Sequence, residues 1–540
     1  PIAITWFLTL GVMGVFGIEF TIFNVIISTF IFGLGVDYSI FITNGLVKDY
    51  TRGSKEITTY KVSIVLSVIT TILGVGVLIF AKHPALKSIS ALCLIGILIT
   101  LFVSFTIQPL LFRTFVSGRA KKGFSPIKLR LFITSTISLI IYGLGGILLS
   151  LFSITILQLI PISKKNKNKW LHNNAARLVR WVLYSNPFVS KKVVNTVNET
   201  FDKPAIIISN HASSLDTLTM GLLTHKVVYL VNDWVYKSPI FGILARVLGF
   251  YPVSDGVDNS SEHLQNKVDE GYSLVVFPEA KRSLSNKVGR FHKGAFYLQQ
   301  QLKIDILPIY LNGNSEVMPK NDMMIHDGKL IVTVGERIKY DDTTFGISDR
   351  ERTKNISKYY KNEFLRLREN YENENYFKRI LLSNYLYKEG KLFDKVKSDF
   401  DRYKIQYQTL NDLLPMKCKL LHIGDDFGQI DILLVSKSKD RKISSFVEDT
   451  VKNEIAKNCY VNKHKKVDYI KNFENIDFSE MDTLLISTLN GIEILEQISL
   501  NSFKNIILFS KENKSIKTLT ASPESTITYK DLLTNSTWKK

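Results

Sequence analysis

Cysteine is scarce: 540 residues hold three, Cys93, Cys418 and Cys459, and none forms a C-x-x-C pair. That excludes a disulfide scaffold and a cysteine-ligated zinc site, and it suits a reducing cytoplasm. A signal peptide with a charged start and a cleavage site is also missing. The chain begins Pro1-Ile2-Ala3-Ile4, already inside an apolar run and without Met, and reads as part of a longer polypeptide cut within a membrane region. No internal repeat is present, and low complexity is limited to a short Lys/Asn stretch at 164–169. Neither a nucleic-acid motif nor interleaved aromatic and basic residues occur, so nucleic acid is not an expected partner. Acidic residues are outnumbered, 49 against 69 Lys and Arg, for a formal net charge of +20. Such an excess points to an anionic partner such as a membrane surface, with a Lys-rich solvated surface accounting for part of it.

The 45% hydrophobic content crowds into the first 160 positions, which excludes a purely soluble chain and a disordered one. A bilayer span takes about 20 apolar residues. Four runs fit, at about 2–18, 21–47, 60–80 and 86–113. Lys48, Arg52, Lys55 and Lys61 flank the second connection, and Arg113, Arg119, Lys121, Lys122, Lys128 and Arg130 follow the fourth span. The positive-inside rule puts both clusters in the cytoplasm. A fifth apolar run, 131–160, has basic residues on both flanks, the second flank being Lys164, Lys165, Lys167 and Lys169. At 1.5 Å per residue, about 30 residues are too few for two full crossings. The expectation is a shallow hairpin opening to the cytoplasm, reversing near Gly143, Gly145 and Gly146; one tilted span is the alternative.

The second span contains Gly33-Leu34-Gly35-Val36-Asp37-Tyr38-Ser39. An ionisable residue inside a span is costly and is a functional hypothesis by default. Asp37 is a candidate proton relay with Tyr38 bonded to it, or else a structural Asp bonded to a neighbouring helix. The segment, with Phe80-Ala81-Lys82-His83-Pro84-Ala85-Leu86, resembles the C-terminal end of MMPL transporters of the resistance-nodulation-division superfamily. That resemblance implies an Asp37-Tyr38 relay driving export, and a missing remainder of the transporter as partner.

From about 170 the composition becomes that of an α/β unit. Short β-rich runs occur at Ala205–Ser209, Val227–Leu230, Ser273–Phe277, Ile304–Tyr310 and Lys329–Val334, with helical stretches between them. They predict a mainly parallel or mixed sheet. Asn210-His211-Ala212-Ser213-Ser214-Leu215-Asp216 directly follows the first run. Strand ends are where ligands bind in such sheets. A His and an Asp across that turn can fold onto each other, the Asp orienting an imidazole that takes a proton from a hydroxyl. The competing reading is a helix cap with His211 exposed.

About 60 residues later come Phe277-Pro278-Glu279-Ala280-Lys281-Arg282-Ser283, then Arg290-Phe291-His292-Lys293-Gly294 and Leu307-Pro308-Ile309. In order and spacing these blocks resemble the glycerolipid acyltransferase family, whose type member is lysophosphatidate acyltransferase. Its N-H-x4-D block is intact here, while its F-P-E-G-T-R-S block has Ala280 for Gly and Lys281 for Thr. The resemblance implies His211 as base and Asp216 as its partner, with Asn210, Ser213, Glu279, Arg282 and Lys293 binding substrate. It further implies acyl carrier protein or acyl-coenzyme A as donor, a membrane lipid as acceptor, and no cofactor. The family's second block, roughly G-x-x-F-I-x-R, has Asp255 at the Arg position, which predicts an acceptor other than simple lysophosphatidate.

Residues 350–412 are charged and helical in period, a connector. From 417 onward β-type runs recur at Lys419–Ile423, Ile443–Val447, Thr483–Ile486 and Asn505–Phe509. The turn Gly424-Asp425-Asp426-Phe427-Gly428 and the acid Glu448 at the next strand's end resemble a class I S-adenosylmethionine-dependent methyltransferase. Gly424, Gly428 and Glu448 would then bind that cofactor. The usual G-x-G-x-G is absent, so the domain is expected to be degenerate and to bind S-adenosylmethionine weakly or not at all.

The expected fold class is thus an α-helical membrane segment followed by two α/β domains, the first acyltransferase-like and the second Rossmann-like. The expected domains are 1–115 transporter-like helices, 116–169 basic linker and hairpin, 170–345 acyltransferase, 346–415 connector and 416–540 methyltransferase-like. The whole resembles trifunctional fusions of Bacteroidetes-type bacteria. It predicts a multi-pass inner-membrane O-acyltransferase with its soluble domains in the cytoplasm. The alternative is a proton-driven lipid or pigment-lipid exporter with accessory domains.

Overall fold

The computed structural model describes residues 1–18, 22–238, 241–252, 261–283, 287–465, 467–470, 480–488 and 500–520. The chain divides into two units, one of Pro1–Ile127 with Glu374–Lys540 and the other of Lys128–Asn373.

Among the described residues, four helical stretches are long and apolar enough to cross a membrane: Ser28–Arg52, Ile57–Phe80, Pro84–Lys121 and Leu129–Leu159. The first expected span is shorter than required. Its helix, Ile2–Val15, has 14 residues, and the chain leaves it through Gly17 at φ +63°. Pro84–Lys121 contains two π-helical turns, Val103–Ile107 and Arg113–Ser117. Between them Gln108 Nε2 donates to Ser39 O at 2.8 Å and to Thr43 Oγ1 at 2.7 Å.

The run after 129 differs from expectation. Helix Leu129–Ile154 is continuous for 26 residues and passes through Gly143, Gly145 and Gly146 without reversing. These glycines have no positive φ, and a Cβ at Gly145 would sit 2.4 Å from Leu178. Gly145 thus gives helix Lys164–Tyr184 a close approach, while Gly146 faces Phe241 and Gly143 faces open space, and none of them makes a bend. The reversal lies at 155–163 instead, so a helical hairpin does form, but its second arm is the basic, polar helix. Ser138 Oγ meets Ser185 Oγ across it at 2.6 Å.

The second unit is built on a seven-stranded sheet. Its strands are β1 Val189–Val194, β2 Ala205–Ser209, β3 Val227–Val231, β4 Tyr251–Pro252, β5 Ser273–Val276, β6 Asp305–Asn312 and β7 Gly328–Val334. Their order is β1-β7-β6-β2-β5-β3-β4, parallel except where β6 meets β7. β2 is buried at every residue, as a strand covered on both faces must be, and its Ala-Ile-Ile-Ile-Ser run reflects that. Pro308 sits inside β6, where a missing N–H would normally break a ladder. It is tolerated because the β6–β7 ladder starts one residue later, at Ile309↔Val334. Gly335 N then bonds Pro308 O at 2.9 Å, and the chain re-pairs at Ile306↔Ile338.

This unit is larger than the expected 170–345. The helix Asp349–Tyr371, assigned above to the connector, packs Ile356, Tyr360, Phe364 and Leu367 into the same core as Ile206, Ile208 and Leu274. The connector therefore does not exist as one element. Its first half completes the second unit, and helix Leu392–Leu413 belongs to the first.

The C-terminal sheet of the first unit has six strands. They are β8 Cys418–Gly424, β9 Arg441–Val447, β10 Asp468–Ile470, β11 Thr483–Ile486, β12 Asn505–Ser510 and β13 Ser515–Thr520. The order β10-β9-β8-β11-β12-β13 is parallel up to β12, with β13 antiparallel. Such an order is doubly wound, with its switch point between β8 and β11. Tyr50, Val116 and Ala120, from the long apolar helices, share a buried cluster with Leu381, Tyr385, Cys459 and Tyr460 of this part.

Candidate active site

His211 lies just past the carboxyl end of β2, and Asp216 lies in the first turn of the short helix Leu215–Met220. The Asn210–Asp216 turn folds the chain back so that His211 Nδ1 and Asp216 Oδ2 are 2.9 Å apart. The same oxygen accepts the backbone N–H groups of Ala212, at 2.7 Å, and Ser213, at 2.8 Å. Asp216 Oδ1 accepts from Asn314 Nδ2 at 2.9 Å. Asp216 is thus fully buried, with hydrogen-bond donors on both of its oxygens. Nδ1 carries the imidazole proton toward Asp216, which leaves Nε2 as the acceptor. Nε2 has no protein hydrogen bond among the described residues, and the side chain keeps 18% of its surface open. The ring stacks on Phe277, with centroids 4.3 Å apart.

The block after β5 supports this loop. Glu279 Oε1 accepts the His211 N–H at 2.8 Å, and Oε2 accepts the Gly289 N–H at 2.6 Å. Ser283 N donates to His211 O at 2.7 Å. Burial pushes the Glu279 carboxyl above its ordinary value, against those two backbone bonds. Glu279 therefore positions the His211 backbone, and both of its oxygens are occupied by protein. Arg282 is half-exposed, and its Nη1 donates to Ser214 Oγ at 2.5 Å. Lys320 Nζ reaches Arg282 O at 2.7 Å.

Besides Glu279, two more of the expected substrate-binding residues have other work. Asn210 is buried and exchanges both amide bonds with Leu311, its Nδ2 donating to Leu311 O and its Oδ1 accepting from Leu311 N, each at 2.9 Å. Ser213 Oγ donates to Met318 O at 2.7 Å. Both tie the His211 turn to the chain after β6, so neither offers a group to a ligand. Lys293 is exposed at the start of helix Gly294–Leu302. Asp255, and with it the expectation of an acceptor other than simple lysophosphatidate, lies outside the described residues.

Two contributors escaped the sequence reading. Asn314 holds the second oxygen of Asp216, and Tyr360 accepts the Asn210 N–H at 2.9 Å and donates to Ile309 O at 2.7 Å. Gly313, at φ +86°, turns the chain after β6 and so brings Asn314 round to Asp216; it was the one available signal. For Tyr360, 150 residues from Asn210, there was none.

Ala280 adopts φ +57°, the left-handed region where a side chain costs about 1–2 kcal/mol. This is the position at which the family block has glycine. Ala280→Gly is therefore expected to raise the stability of the second unit by about 1 kcal/mol, read as a higher thermal midpoint.

The other expected sites are not assembled as anticipated. Asp37 is exposed on its helix, while Tyr38 is buried with its hydroxyl 3.4 Å from Ser67 Oγ; the two do not bond each other. Gly424 approaches His422 and Ser487, since a Cβ there would lie 2.7 Å from His422 Nε2 and 3.0 Å from Ser487 Oγ. Gly428, at φ +86°, packs against Asn462, Tyr469 and Ala456. Between them Asp425 pairs with Lys452 at 2.7 Å, and Asp426 accepts the Gly428 and Ile430 N–H groups. The turn's polar groups are spent on the protein itself, which does not fit a cofactor cradle for S-adenosylmethionine. Glu448 is exposed at the end of β9.

Residues 189–312 match the protein-family model described as Acyltransferase, so the middle of this chain is an acyltransferase-type domain. A chloroplastic 1-acyl-sn-glycerol-3-phosphate acyltransferase of Brassica napus is 25% identical over 185 residues, 33% of this chain and 53% of that protein. The 1-acyl-sn-glycerol-3-phosphate acyltransferase of Saccharomyces cerevisiae is 27% identical over 191 residues, 34% of this chain and 62% of that protein. The chain spans about half the length of these relatives. Among solved structures, the 1-acyl-sn-glycerophosphate acyltransferase PlsC of Thermotoga maritima aligns over 44% of this chain and 98% of its own, at 20% identity and a TM-score of 0.39.

Proposed function

We propose that this chain is a membrane-attached O-acyltransferase that moves an acyl group from a thioester, on acyl carrier protein or coenzyme A, to a hydroxyl of a 1-acylglycerol-3-phosphate-like lipid. The observation that carries this reading is the His211–Asp216 pair, with Nε2 open and Nδ1 fixed at 2.9 Å from a buried carboxylate. Nε2 takes the proton of the acceptor hydroxyl as its oxygen attacks the thioester carbonyl. The carbon–sulfur bond then breaks, and the imidazolium returns the proton to the thiolate. Asp216 stabilises the imidazolium between those steps. Direct transfer of this kind needs no cofactor.

The membrane attachment is read from helix Leu129–Ile154, which is inside out relative to a water-soluble helix. Ser135, Ser138, Gly146, Ser150 and Ser153 are buried, while Ile140, Leu144, Leu148 and Leu151 are exposed. Water rejects such a surface and a bilayer accepts it. The following helix adds Lys164, Lys165, Lys167 and Lys169 at one end and exposed Trp181 and Tyr184 at the other, side chains suited to anionic headgroups and to the interface.

Arg282 is the group we assign to the acceptor's phosphate, a planar fork at the rim of the His211 turn. A hydrogen bond to a charged group contributes about 1.5–3 kcal/mol. Arg282→Ala should therefore raise the KM for a phosphate-bearing acceptor by about 10- to 100-fold. The same variant should leave a phosphate-free acceptor nearly unchanged. Equal effects on both acceptors in a competition assay would remove Arg282 from this role.

A further inference from the structure

A chain of three hydrogen-bonded side chains crosses the C-terminal sheet where its strand order reverses. Ser487, the first residue after β11, places its Oγ 2.8 Å from His422 Nε2. His422 Nδ1 lies 2.7 Å from Asp431 Oδ1. His422 comes from β8 and Asp431 from the helix Gln429–Lys437 that follows it. Asp431 is itself fixed, because its Oδ2 accepts the Tyr469 hydroxyl at 2.8 Å, and Asn462 Nδ2 donates to that hydroxyl at 2.7 Å.

We propose that Ser487, His422 and Asp431 form a second catalytic site, a serine nucleophile that takes acyl esters or thioesters. Three observations converge on it. Geometrically, a serine, both nitrogens of one imidazole and a carboxylate stand in the sequence required for an activated hydroxyl. Topologically, Ser487 ends β11 beside β8, so its hydroxyl lies at the carboxyl edge of the sheet at the switch point, where ligands of doubly wound sheets bind. In burial, His422 and Asp431 are fully enclosed while Ser487 is half-buried, so only the nucleophilic end of the chain reaches toward solvent. Asp431 is also the one acid in an otherwise apolar run, Ile430-Asp431-Ile432-Leu433-Leu434, all of it buried. An enclosed imidazole–carboxylate pair is weak as a source of stability, and such groups cluster at functional sites. Gly424 leaves room for the arrangement, since a Cβ there would come within 2.7 Å of His422 Nε2 and 3.0 Å of Ser487 Oγ.

Ser487 Oγ bonds to the acyl carbonyl carbon, its proton passes to His422 Nε2, and the carbon–oxygen or carbon–sulfur bond breaks with that proton going to the leaving alcohol or thiol. Water, deprotonated by the same imidazole, then attacks the acyl-serine carbonyl; the bond from Ser487 Oγ to the acyl carbon breaks, the proton returns from His422 to Oγ, and a carboxylic acid leaves. None of these residues belongs to the His211 site, so failure here leaves that reading untouched.

The test is covalent labelling of the full chain, in membranes or detergent, with an alkyl fluorophosphonate, which forms an oxygen–phosphorus bond with activated serines and releases fluoride. Peptide mass spectrometry should find the adduct on Ser487. His422→Gln, which keeps a polar side chain in the core, should slow labelling by about 100-fold or more. The thermal midpoint of each variant shows whether the chain remains folded. Where His422→Gln does not fold, Asp431→Asn serves in its place with the same expected slowing. Absence of adduct on Ser487 in folded wild type, or equal labelling rates in wild type and a folded variant, would overturn the proposal.

Discussion

His211→Ala is expected to lower acyl transfer by about 10²–10⁴-fold, the usual contribution of a general base, while the chain stays folded. Folding should survive because the imidazole makes one side-chain hydrogen bond, to Asp216. When it is gone, Asp216 still accepts from Ala212, Ser213 and Asn314, so no buried charge is stranded. The lost stacking on Phe277 is a small packing term. Rate and thermal midpoint measured on the same preparation separate the two effects. An unchanged rate in a folded variant would remove His211 from the mechanism.

Asp216→Asn is expected to lower kcat by roughly 10²–10⁴-fold with little change in KM, since a neutral amide neither fixes the Nδ1–H tautomer nor stabilises an imidazolium. Its effect on stability should exceed that of His211→Ala. Asp216 Oδ2 serves three donors and Oδ1 a fourth, and an amide cannot accept at both positions. Each buried donor left without an acceptor costs about 1–3 kcal/mol. Asp216→Ala, which abandons all of them, should therefore be the less stable of the two variants by urea titration. A variant at this position with full stability and lost activity would mean that the backbone donors find water instead.

The legible parts of this chain were those encoded by short-range pattern. β2 and β11 coincide with their sequence runs, because a fully buried strand in a parallel sheet needs an unbroken apolar stretch. The His211–Asp216 contact was also readable, since a six-residue turn brings its own ends together. What could not be read was set by tertiary contact. Asn210 and Ser213 look like ligand groups in a motif, but their partners, Leu311 and Met318, are about a hundred residues away. Helix Asp349–Tyr371 has the charge of a solvated connector, yet its one narrow apolar face, Ile356, Tyr360, Phe364 and Leu367, closes the core of the second unit. The glycines at 143–146 resemble a reversal, yet they lie within a continuous helix, where Gly145 lets helix Lys164–Tyr184 approach closely. His422 sits in mid-strand, where a lone histidine is ordinarily a core residue, and its hydrogen-bond partners Ser487 and Asp431 come from two other elements.

The most direct measurement supplies the purified 540-residue chain with one acyl thioester and 1-acylglycerol 3-phosphate and follows the lipid product by mass spectrometry. The expected result is a doubly acylated lipid that forms with the wild type and is lost in His211→Ala, whatever thiol the Ser487 site releases. No acylated lipid from the folded wild type, or acylated lipid that persists in a folded His211→Ala, would contradict the assignment of His211 as the base.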